Sequence, residues 1–135
     1  MKRLMWLCFC LLTLILNGCI KPNYSTQIGI VKEDRNIQIL ETIRDEKFYQ
    51  KSMDAINNGR NIKLDENDIK GLPTYCIQFK DETQNIVVSN YDLWVVKENQ
   101  EVIFTNHMNP YSYYKIEKED EDFIRNIILK HHEEK

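Results

Sequence analysis

The chain has 135 residues, 42% of them hydrophobic and 29% charged, with 18 Lys and Arg against 21 Asp and Glu for a net charge of −3. That length closes one ordinary hydrophobic core. The acidic balance deepens once Lys2 and Arg3 are set aside, and it excludes nucleic acid as an expected partner, because phosphate binding needs clustered Lys and Arg.

The chain starts with Lys2 and Arg3, continues with an apolar run from Leu4 to Leu16 and reaches Asn17-Gly18-Cys19. This is the basic, apolar and small-residue layout of an export signal. The run falls short of the roughly 20 residues that a spanning helix needs. Gly18 leaves the backbone bare beside a cysteine, and only a thiol takes a thioether-linked lipid. Leu16-Asn17-Gly18-Cys19 resembles the lipobox of bacterial lipoproteins. The resemblance implies a diacylglyceryl thioether on Cys19 and a cut between Gly18 and Cys19. Residues 1–18 then form a signal peptide, 19–27 a lipidated tether broken by Pro22, and 28–135 a single domain. Two acyl chains at about 0.8 kcal/mol per buried methylene hold a protein stably, so a lipid bilayer reached through Cys19 is the implied partner. The expected location is the extracytoplasmic face of a cell membrane.

Cysteine usage agrees. Of four cysteines, Cys8 and Cys10 leave with the signal and Cys19 carries the lipid, so Cys76 is the one thiol of the folded part and no internal disulfide is expected. Its alternation with Tyr75, Ile77 and Phe79 places it as a small side chain in a strand.

Along the chain, Ile28 and Ile30, then Ile37, Ile39 and Ile43, alternate on either side of Glu33-Asp34-Arg35-Asn36. This predicts a hairpin with strands over 27–32 and 37–43. Asp45 is a good N-cap for a helix whose Phe48, Tyr49, Ser52, Met53, Ala55 and Ile56 share one side, and Asn58-Gly59 suits a left-handed stop. Residues 60–73 are polar, with a short strand expected at Ile62–Leu64. Asp65, Glu66 and Asp68 lack the spacing of a calcium loop, so no metal is expected there. From Thr74 onward alternating strands (Tyr75–Phe79, Ile86–Val96, Val102–Thr105 and Tyr111–Ile116) are joined by short polar turns, the pattern of an antiparallel meander. Lys118–His132 closes the chain as a helix with acidic residues in its first turn and Phe123, Ile124, Ile127, Ile128 and His131 on its apolar side. The expected fold class is α+β: N-terminal hairpin, helix, antiparallel meander and C-terminal helix packed on one sheet.

Pro73-Thr74-Tyr75 with its alternating strand, Tyr91-Asp92-Leu93-Trp94-Val95, Ile103-Phe104 and the closing Tyr114–Ile128 stretch occur in an order that resembles the YhfM-like domain of bacillus-type lipoproteins. The likeness covers roughly residues 28–130 and implies a fold and an envelope location, and it brings no activity with it.

Catalytic motifs are absent from the sequence. No Gly-x-Ser-x-Gly elbow is present, the four glycines form no phosphate loop, and the adjacent His131 and His132 diverge on a helix. No cofactor, metal site or enzymatic activity is expected. Asn109-Pro110-Tyr111-Ser112-Tyr113-Tyr114, with His107 in the preceding turn, is the candidate partner-binding stretch. Tyr111 and Tyr113 should share one strand face and Tyr114 take the other. The expected role is a non-catalytic binding or regulatory module of the envelope that holds an envelope protein or a wall component. The alternative is an accessory or immunity-like lipoprotein that occupies the membrane surface.

Overall fold

The computed structural model describes residues 22–64, 69, 71–96 and 101–130. The signal segment, Gly18 and Cys19, the carboxylates Asp65, Glu66 and Asp68, and His131 and His132 lie outside the described residues.

The architecture is α+β. Among the described residues seven strands, β1 (Tyr24–Val31), β2 (Ile37–Ile43), β3 (Arg60–Ile62), β4 (Tyr75–Asp81), β5 (Ile86–Val95), β6 (Val102–Asn106) and β7 (Asn109–Lys115), form one sheet in the order β2-β1-β4-β5-β6-β7-β3. Every pairing is antiparallel. Helices α1 (Glu46–Asn57) and α2 (Lys118–Leu129) complete it.

Local chemistry sets the turns. In the β1–β2 hairpin the Asp34 carboxylate accepts from the Asn36 backbone N–H at 3.0 Å and from its side-chain amide at 2.7 Å. Arg35 takes a left-handed φ of 63° there. In the β4–β5 turn Asp81 accepts from the N–H groups of Thr83 and Gln84 at 2.8 and 3.2 Å. Both are Asx turns, which let the chain reverse with its backbone donors satisfied. Asp45 caps α1 as its residue type predicts, accepting from Phe48 N–H at 2.7 Å.

Cross-strand rows decide the two faces of the sheet. Ile30, Tyr75, Leu93, Phe104 and Tyr114 stand opposite one another in register across five strands. With Ile77, Phe79 and Val102 they meet Tyr49, Ala55 and Ile56 of α1 and Ile124 and Ile128 of α2 in one core. Both helices therefore cover this face. Aromatic edges join the layers: Tyr49 meets Phe79 at 5.4 Å and stacks on Tyr24 at 4.8 Å, and Phe48 of α1 meets Phe123 of α2 at 5.4 Å. On the reverse face the row is Gly29, Cys76, Asp92, Thr105, Tyr113 and Ile62.

Three sequence expectations are corrected here. The tether read through Gln27 ends earlier, because β1 starts at Tyr24 and pairs with Asp81 of β4. Ser25 and Thr26 look like linker residues but are buried in the sheet, and the Ser25 hydroxyl donates to Glu82 at 2.7 Å. The short strand expected at Ile62–Leu64 lies at Arg60–Ile62, where it gains β7 as a neighbour. Gly59 does not supply a left-handed cap, since α1 ends on Asn58 in an ordinary right-handed conformation. Glycine is needed at 59 for room: a Cβ there would sit 2.5 Å from the Phe104 ring.

Candidate functional site

The reverse face of the sheet holds a cleft of about 420 Å³, lined chiefly by Trp94, Tyr113, Asp92, His107, Arg35 and the Leu72-Pro73 segment. The floor comes from β5, β6 and β7, whose parity puts Asp92, Trp94, Thr105 and Tyr113 on the side away from the helices. The walls are loops. One is the β1–β2 turn with Arg35, another is Gly71-Leu72-Pro73, and the third is the β6–β7 turn with His107.

Aromatic and ionisable groups alternate across it. The Trp94 and Tyr113 rings meet edge to face with centroids 6.0 Å apart, an arrangement that suits the ring quadrupoles. The Trp94 indole N–H points toward the Gly71 carbonyl at 3.4 Å, tying the loop wall to the floor. His107 Nδ1 lies 3.0 Å from Asp92 Oδ2, with the carboxylate 14% exposed and the imidazole 52% exposed. The His107 N–H donates to Asn90 O at 2.9 Å, so both the backbone and the ring of His107 are held by β5. The Thr105 hydroxyl lies 2.9 Å from Ser112 O and 3.1 Å from Asn109 O, and its one proton serves these two carbonyls. That ties off the wide irregularity where β7 loops out between Asn109 and Tyr113.

Beside the floor, on the same face of the sheet, Cys76 of β4 is fully buried directly across from Asp92. Burial first, and the Asp92 charge second, push its thiol up to about 12. It stays a thiol at neutral pH and behaves as a small packing residue.

Of the residues singled out by sequence, His107 and Tyr113 come together in this cleft. Tyr111 stands at the bulge and is 90% exposed. Tyr114 takes the opposite face, half-buried against the core and stacked on Phe104 at 5.3 Å, so it does not line this cleft. Tyr113 and Tyr114 divide between the two faces as strand alternation requires, whereas Tyr111 lies in the looped-out stretch where the β6–β7 register breaks, and the candidate stretch contributes Pro110 and Tyr113 to the lining of the cleft. Sequence reasoning missed Asp92, Trp94, Thr105 and Arg35. Strand parity could have supplied Asp92 and Trp94, which flank the buried Leu93, but Arg35 reaches the cleft only because the hairpin folds over it.

No family model, curated protein or solved structure matches this chain. Among the described residues no group of three His, Cys, Asp or Glu side chains is placed to hold a metal ion, and no helix is long and apolar enough to cross a membrane.

Proposed function

We propose that this protein is a lipoprotein anchored through Cys19 on the extracytoplasmic face of a cell membrane, where its domain serves as a non-catalytic binding module of the envelope. The observation that carries this reading is the cleft that joins Trp94, Tyr113, Asp92 and His107 on the face of the sheet free of helices. Pockets with an aromatic lining and a few fixed polar groups suit the orientation of a bound group. The Thr105 hydroxyl on the floor is committed to backbone carbonyls and is not aimed at the Asp92–His107 pair.

The direction of β1 supports the same reading. The strand enters at Tyr24, next to the lipid-bearing segment, and leaves at Val31, which lines the cleft. At about 3.3 Å per residue its far end is about 23 Å from its start. An anchored domain thus holds its cleft away from the headgroups and toward other envelope components. The resemblance to the YhfM-like domain belongs to the same proposal.

The test is photo-cross-linking on intact envelopes carrying the full-length chain, with the photoprobe at Leu72 on the cleft rim. The expected result is a discrete adduct that disappears in a Trp94→Ala, Tyr113→Ser double variant of unchanged melting temperature. An adduct pattern identical in both proteins overturns the binding role of the cleft.

A further inference from the structure

Arg35 stands in the β1–β2 turn with a φ of 63° and lines the cleft. Glycine and asparagine take that left-handed conformation at little cost, whereas a long side chain is strained in it, and strain of this kind gathers at binding sites. The turn itself makes no use of the guanidinium. Its reversal is held by Asp34 accepting from Asn36 and by the Arg35 N–H donating to Lys32 O at 2.8 Å. Among the described residues the Arg35 side chain has no ion-pair partner. Asp92, the carboxylate among the described lining residues, is held by His107 at 3.0 Å. A cation without a counter-ion therefore overlooks an aromatic floor.

Taking the cleft as the binding site proposed above, on which this inference rests, we propose that its ligand is the end of a peptide. The free C-terminal carboxylate lies on Arg35, and the apolar side chain beside it lies on Trp94 and Tyr113. A guanidinium fork matches a carboxylate in two parallel hydrogen bonds. Strands β1 and β5 are separated by β4 alone, so the hairpin wall and the aromatic floor are two strand spacings apart, about 10 Å. A terminal residue spans that gap with its carboxylate at one wall and its side chain at the other. The Asp92 oxygen that His107 does not hold can accept from the N–H of the peptide group.

The rest of the lining selects against other anions. Val31, Ile37, Leu72 and Pro73 are apolar, so the hydroxyls of an acidic sugar would be desolvated against them without partners. A phosphate dianion would bring more negative charge beside Asp92 than one guanidinium balances. The volume of about 420 Å³ suits a chain end and not the face of a folded partner.

The experiment titrates the full-length chain in detergent with N-acetyl-glycyl-leucine and with the same peptide as its C-terminal amide, read by NMR at the Trp94 indole and the Leu72 methyl groups. The acid should bind at least tenfold more tightly than the amide. Arg35→Gly should weaken the acid to the level of the amide, leave the amide unchanged, and hold or raise the melting temperature, because glycine takes the left-handed turn freely. Trp94→Ala should weaken both peptides. Equal affinity for acid and amide, or equal losses of both in Arg35→Gly, overturns the carboxylate and leaves the binding role of the cleft to the Leu72 photo-cross-link. A lower melting temperature of Arg35→Gly makes Arg35 a structural residue and overturns the proposal. So does binding of a neutral N-acetylated trisaccharide with no response to either peptide.

Discussion

Asp92 Oδ2 and His107 Nδ1 stand 3.0 Å apart although the residues are 15 positions distant in the chain. The pair bridges the end of β5 and the β6–β7 turn. With the histidine half-exposed, such a pair is worth at most about 1 kcal/mol. Asp92→Asn should therefore change unfolding free energy, measured in urea, by no more than about 1 kcal/mol. It should nevertheless loosen His107, seen as faster hydrogen exchange of the His107 amide. A loss of several kcal/mol would mean that Asp92 is a core residue and not part of an adaptable site.

Gly29→Ala should be strongly destabilising. An added Cβ would lie 2.8 Å from Gln38 O and 2.9 Å from Cys76 Sγ, at the irregularity where β1 meets β2. Overpacking of this kind costs about 1–3 kcal/mol. Adding Cys76→Ala should recover only part of the loss, because the backbone carbonyl stays in place. Full recovery in a double-mutant cycle would refute the backbone contact as the cause.

Cys76 should make stability fall at high pH. Its folded thiol is pushed up to about 12 from the ordinary 9.0, so between these values the unfolded chain releases a proton that the folded one keeps. Stability is full below pH 9.0 and declines as pH rises toward 12. Tyr49 and Tyr75, both raised by burial, act in the same direction. Cys76→Ala should flatten the decline in melting temperature measured above pH 9.0. Rapid alkylation of the folded protein at neutral pH would contradict the assigned burial.

Glu82 should titrate below an ordinary glutamate. The Ser25 hydroxyl donating at 2.7 Å is the largest cause, followed among the favourable ones by Lys80 and Arg44. A lowered carboxylate contributes stability above its ordinary pKa and loses it as pH falls through the folded value. Ser25→Ala should move the Glu82 midpoint upward in a carboxyl NMR titration. An unmoved midpoint would assign the depression to Lys80 and Arg44.

The anchor has its own test. Cys19→Ser should move the protein from the detergent phase to the aqueous phase and leave its melting unchanged, because Cys19 precedes the first strand. Equal partitioning of both proteins would remove Cys19 from that role.

The sequence by itself determined the order of elements, since period-2 apolar alternation, the Asp45 cap and the acidic start of α2 act through local backbone chemistry. It also determined that Tyr113 parts from Tyr114, because side chains in a strand alternate, while the register break that takes Tyr111 out of the ladder was not legible in it. Only the tertiary structure decided that β1 lies between β2 and β4 and that β3 closes the other edge on β7. Those pairings rest on burial against distant strands, which is how Ser25 and Thr26, polar by type, became interior residues. The cleft was decided in the same way. Asp92 and His107, Trp94 and Gly71, and Arg35 from the hairpin converge through register and loop placement, which no local pattern records.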